Sequence, residues 1–136
     1  ELWDTGLRRR VARLDVESGV RALQLGDRGQ YVACATAENQ LLVYNAESGE
    51  LTHRMGEDLA HIWSIALSPD ARLLASCSSD TSVRLWNVEK GRQCGALRRH
   101  REWVMSVRFS PRLRWLVSGG NDETVRVWGV PADGGN

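Results

Sequence analysis

The residues best equipped for chemistry lie in the last third of the chain: His100, Ser118 and Asp122. Together they are the parts of a nucleophilic hydrolase, in which an imidazole takes the hydroxyl proton and a carboxylate orients the imidazole. Such a serine must be exposed beside an oxyanion hole. Ser118 sits instead inside the strand-like run WLVSGG, and no strained G-x-S-x-G elbow surrounds it. The composition therefore offers a hydrolase triad, and the local sequence argues against it. Other reactive types are scattered. Cys34, Cys77 and Cys94 are odd in number, lack ligand spacing, and suit a reducing compartment, cytoplasmic or nuclear, better than a disulfide framework. The three histidines do not cluster, and the glycines mark turns rather than a phosphate loop ahead of a helix, so no metal or cofactor is expected.

The elements that must position these residues recur. LLASCSSDTSVRLWNVEKGR, residues 73–92, is rewritten 42 residues later as WLVSGGNDETVRVWGV, 115–130, and 42 residues earlier, more weakly, as YVACATAENQLLVYNAESGE, 31–50. A period of that length is the mark of an array. VRALQL (20–25) alternates apolar and polar residues with period two, and Ser68-Pro69-Asp70 and Ser110-Pro111-Arg112 are turn signals. Each unit reads as four short strands. In the second these are 51–55, 62–67, 73–77 and 82–87; in the third, 93–97, 104–109, 115–118 and 124–130. Residues 7–14 read as a short basic outer strand, and 131–136 as a polar tail. No capped helix-period segment appears, so the chain is expected to be all-β.

These residues resemble the WD-repeat β-propeller family. The resemblance is carried by ALSPD and RFSPR at two strand ends, LLASCSSD and WLVSGGND, and VRLWN and VRVWG. Unit one is degenerate, with Gly26-Asp27 for Ser-Pro and Tyr44 for Trp. The resemblance implies blades of four-stranded antiparallel sheets arranged radially. About three blades and a stub are present: 1–14 as the end of a preceding blade and an outer strand, then repeats at 15–50, 51–92 and 93–130. The expected whole is an open arc of a larger, seven-bladed propeller. The resemblance also implies a buried tetrad of Trp128, Ser118, His100 and Asp122, whose donors and acceptors match in type. Unit two has Trp86, Ser76 and Asp80, but Asp58 stands where the histidine belongs, and His61 is out of register. In unit one the equivalents are Tyr44, Cys34 and Glu38, so no tetrad is expected there.

Closed propellers need roughly four to eight blades. An open arc leaves two flat faces bare. A few hundred Å² at each, at ~25 cal/mol per Å², forgoes about 10 kcal/mol of burial. The chain is therefore expected to be a segment of a longer propeller, with self-association of two chains into a ring as the alternative.

The resemblance implies a protein-interaction scaffold whose partners are other proteins or the remainder of its own propeller. The candidate contact residues are Arg101, Glu102 and Trp103, then Ile62 and Trp63, and the turns Ser78-Ser79 and Gly120-Asn121. Trp and Arg are common interface anchors. Trp63 aligns with Met105 inside a strand, which favours packing, whereas Trp103 ends a loop. A nucleic-acid reading rests on Arg8, Arg9, Arg10 and Arg13 and on Arg98, Arg99, Arg101, Arg112 and Arg114. It is opposed by a net charge of only +1 and by the use of basic residues to guard an outer strand. No apolar run approaches the ~18 residues of a membrane span, so membrane insertion is not expected.

Overall fold

The computed structural model describes residues 1–26, 29–56 and 60–130, so Asp58 and the tail lie outside it. Every regular element among the described residues is a strand: β1 (Leu2–Asp4), β2 (Arg9–Ala12), β3 (Val20–Leu25), β4 (Tyr31–Thr36), β5 (Leu41–Asn45), β6 (Leu51–Met55), β7 (Ile62–Leu67), β8 (Leu73–Ser78), β9 (Val83–Asn87), β10 (Arg92–Leu97), β11 (Val104–Phe109), β12 (Trp115–Gly120) and β13 (Val125–Gly129). They form antiparallel sheets in the orders β1-β2, β3-β4-β5-β6, β7-β8-β9-β10 and β11-β12-β13. The inner strands β3, β7 and β11 lie side by side, so the sheets stand in sequence like blades.

The sheets run out of phase with the repeats. β6 and β10 begin repeats two and three, yet each pairs with the last strand of the repeat before it. The unit read from sequence, with 51–55 grouped with 62–87, is thus not a sheet: the second sheet takes its outer strand from repeat three. The third sheet has three strands among the described residues. The first outer strand is also shorter than the sequence suggests. Leu7 donates its N–H to Asp4 Oδ1 at 2.8 Å, and Arg8 has φ of 50°, a left-handed turn that keeps both out of β2.

Turns repeat as faithfully as strands. Asn39, Thr81 and Glu123 occupy left-handed conformations at equivalent positions, as do Gly29, Ala71 and Leu113. Gly49 and Gly91 do so in the turns before β6 and β10, where a Cβ on Gly91 would collide with the His53 imidazole of the preceding sheet.

The core lies between sheets. Ala33, Ala35, Leu41 and Val43 of the first pack on Ile65, Leu67, Leu74 and Trp86 of the second. The far side of the second, Ala66, Ala75, Cys77 and Val83, packs on Val104, Val107 and Leu116 of the third. Leu2, Leu14 and Val16 cover part of the first sheet at Val32, Cys34, Leu42 and Tyr44. At the ends of the row, the outward face of the third sheet is bare, and that of the first is open along β3. Val125 is 73% exposed where its equivalent Val83 is 0%, and Leu23 is 66% exposed where Ile65 is 2%. This is an open arc.

Candidate functional site

Two constellations emerge, one buried within the third sheet and one along the edge of the row where the inner strands begin. In the buried one, β12 places Ser118 opposite Arg126 of β13, and Trp128 follows two residues on, so that it shares Arg126's face. The loop 98–103 delivers His100, and the β12–β13 turn delivers Asp122. Trp128 Nε1 donates to Ser118 Oγ at 2.9 Å, His100 Nε2 lies 2.8 Å from the same oxygen, and His100 Nδ1 lies 2.9 Å from both Asp122 oxygens. An ionised carboxylate can only accept, so Nδ1 carries the imidazole proton and Nε2 accepts from the Ser118 hydroxyl. Burial pushes the Asp122 carboxyl up. Hydrogen bonds from the Thr124 hydroxyl, His100, and the Arg101 and Thr124 N–H groups outweigh that and hold it well below the usual carboxylate range.

Ser118 and the His100 side chain are buried, and the Ser118 oxygen is occupied from both sides. The arrangement ties the loop 98–103 to its sheet.

The second sheet keeps part of the network. Trp86 Nε1 donates to Ser76 Oγ at 2.9 Å. Asp80 accepts from the Ser82 N–H at 3.0 Å, the Ser82 hydroxyl at 2.6 Å and Arg84 Nη2 at 2.5 Å. Burial would raise the Asp80 carboxyl, but the bonds from Arg84 and Ser82 bring it down to about 2. Sequence reasoning missed Arg84; the Asp-x-x-x-Arg spacing shared with Asp122 and Arg126 was the available signal. In the first sheet Tyr44 turns away and donates its hydroxyl to the Asp15 carbonyl at 2.9 Å, beside a buried Cys34 thiol.

The second constellation is built by β-bulges. The pairing register slips between Val20 and Ala22, between Ile62 and Ser64, and between Val104 and Ser106, which leaves Arg21, Trp63 and Met105 unpaired at equivalent positions. A bulge re-aims its side chain. Trp63 stacks on Trp103, with ring centroids 5.7 Å apart and planes at 27°, and also meets His61 at 4.2 Å. Arg21 lies against the other side of that row, on His61. Trp103 remains 47% exposed. Adjacent turns are pinned to these residues, since Ser79 N–H donates to the His61 carbonyl and Asn121 N–H to the Trp103 carbonyl.

Of the sequence-predicted contact residues, Arg101, Glu102, Trp103 and Asn121 are exposed, and Trp63, Ser79 and Gly120 are partly buried. Ile62 and Ser78 are buried and cannot meet a partner, because their positions pack between strands rather than on the bulge. Trp63 both packs and stacks. Arg21, His61 and Met105 were missed, although they recur at the spacing of Trp63 and Trp103; the bulges themselves leave no mark in the sequence. The arginines do not form one surface. Arg10 pairs with Glu1 and Arg13 with Asp15, and Arg112 and Arg114 lie in the turn at the opposite end of the third sheet from Trp103.

The model for the WD domain, G-beta repeat, matches residues 49–87 and 91–129, more than half of the chain. The chain belongs to the WD40 repeat family. A curated relative, WD repeat-containing protein SL1-17 of Schistosoma mansoni, is 36% identical over 58 residues, which cover 43% of this chain and 19% of that protein. Two solved structures, of U3-55K and of the WD40 repeats of RRP9, superpose on 93% of the chain with TM-scores of 0.80 at 22% identity. That likeness shows the fold: these are WD40 propellers, of which this chain spans 40% and 39%.

Proposed function

We propose that the chain is a non-catalytic interaction scaffold, a segment of WD40 propeller that docks partner proteins or peptides within a multiprotein complex. The observation that carries this reading is the Trp63–Trp103 stack. A half-exposed indole is held in place by a second indole, and its loop is fastened to the sheet through His100 and Asp122. A rigid aromatic with little entropy left to lose is what a partner-binding anchor requires. Arg101, Glu102, Ser79 and Asn121 surround it as polar contacts. The free, mostly buried cysteines fit a reducing compartment, cytoplasm or nucleus.

Trp103→Ala tests the proposal. Co-purification from the native source, quantified against the unaltered protein, should lose partners by roughly tenfold or more, the effect of an anchor residue. Near-ultraviolet circular dichroism should still show a folded protein. Full recovery of partners would sink the reading; loss of the fold would mark Trp103 as core instead. A fluorophosphonate probe that labelled Ser118 would overturn the non-catalytic assignment.

A further inference from the structure

The second and third sheets solve the same electrostatic problem differently. Asp80 and Asp122 are equivalent, each in the turn between the second and third strands of its sheet. Each accepts from the hydroxyl and the N–H two residues on, Ser82 and Thr124. Arg84 and Arg126 are equivalent too, opposite Ser76 and Ser118 in register. In the third sheet His100 occupies the carboxylate, and Arg126 stands off with Nη2 at 3.8 Å from Asp122 Oδ2. Its Nε is buried with no hydrogen-bond partner among the described residues. In the second sheet, where the aligned position is an aspartate, Arg84 closes to 2.5 Å and also donates to Ser82 Oγ at 2.8 Å.

We propose that Arg126 is a reserve counter-ion for Asp122, held a little out of contact by His100, and that it closes onto the carboxylate whenever the imidazole is removed. Both sheets then draw on one device with two settings. With histidine on the carboxylate, the loop 98–103 is tethered by the side chain at its centre. With arginine there, the carboxylate remains paired and the sheet keeps its turn, while the loop loses that tether. The geometry supports the exchange because no strand needs to move. The two arginines share register, face and neighbours, and the gap to be closed is about one ångström, within the reach of an arginine side chain changing rotamer. Arg84 makes the equivalent contact through its two Nη atoms, and Arg126 Nη2 is the atom that already faces Asp122.

The test is a double-mutant cycle in the whole protein with His100→Ala, Arg126→Ala and both. On the unaltered background Arg126→Ala should move the melting temperature by about 1 °C or less. On the His100→Ala background the same change should cost roughly 3 °C or more, because Asp122 then has neither the imidazole nor the guanidinium and keeps only the Arg101 and Thr124 donors. Equal shifts on the two backgrounds would overturn the proposal. Should the double variant fail to fold, a crystal structure of His100→Ala alone decides. Arg126 within hydrogen-bond distance of the Asp122 carboxylate means that it has closed, and a separation still near 3.8 Å overturns the proposal.

Discussion

At the scale of single residues, the two aspartates matter most, and each is ionised because several donors converge on it. For Asp80 the folded carboxyl titrates at about 2 against an ordinary 3.8. The sign follows from linkage: a depressed folded value stabilises the folded chain wherever the group is ionised in both states. That contribution is complete above about pH 4 and is lost as pH falls through about 2. Asp122 is displaced in the same direction. Acid titration of thermal stability should therefore show a decline beginning near pH 4, and Asp80→Asn should flatten part of it while lowering the plateau at neutral pH. If Asp80→Asn leaves the acid limb unchanged, the Arg84 and Ser82 bonds do not hold the group as described. The tetrad of the third sheet was legible in the sequence because its four side chains have complementary donor and acceptor types at family spacing. Arg84 was legible only through the Asp-x-x-x-Arg spacing it shares with Arg126, because an arginine two positions before a strand tryptophan otherwise reads as a solvated residue. His61 was set aside as out of register for a tetrad; its actual neighbours are Trp63 and Arg21.

At the scale of elements, strands and turns could be read to within a residue or two from alternation and turn chemistry. The hairpins β4–β5 and β8–β9 are legible in this way, and what could not be read was the sheet that each outer strand joins. Residues 51–55 and 92–97 are polar enough to be outer strands of either neighbouring sheet, and only the register settles which. The bulges escaped for a related reason: a one-residue slip in pairing leaves composition untouched. The turns are explicit about strain. Thr81 holds φ of 68° in the β8–β9 turn, where its equivalent in the β4–β5 turn is Asn39 at 63°. Asparagine tolerates that conformation and a β-branched threonine does not. Thr81→Gly should therefore raise stability by about 1 kcal/mol, read as a higher midpoint in urea at unchanged slope. A lower midpoint would mean that the threonine side chain makes contacts worth more than the strain it imposes.

At the scale of the whole molecule, the bare face of the third sheet and the half-covered face of the first dominate. The residues exposed at the end of the third sheet, Trp115, Val125 and Val127, correspond to Leu73, Val83 and Leu85, the surface on which the third sheet itself packs. Leu23 and Leu25 at the other end correspond to Ile65 and Leu67. The chain thus carries both halves of the interface that it uses twice internally, and a heterologous contact of this kind joins head to tail. Produced alone, these 136 residues should sediment as a mixture heavier than the 15.2 kDa monomer, and Val125→Glu with Val127→Glu should shift the mixture toward monomer. A monodisperse monomer before substitution would show that the faces are compatible with water as they stand. Blade number alone implies open faces; the structure shows which side chains make them.

The mismatch of phase between repeat and sheet has a consequence for how such a chain changes length. Because β6 and β10 fill the same place in successive sheets, removing residues 51–92 would join Glu50 to Gln93 and hand the first sheet the outer strand of the second. A cut of the same span placed elsewhere along the repeats, in a loop or within a strand, would heal in the same way, because what is lost is always one full set of four strands. Genes encoding such arrays can gain or shed a blade by unequal exchange wherever the crossover happens to fall, and no sheet is left short of a strand.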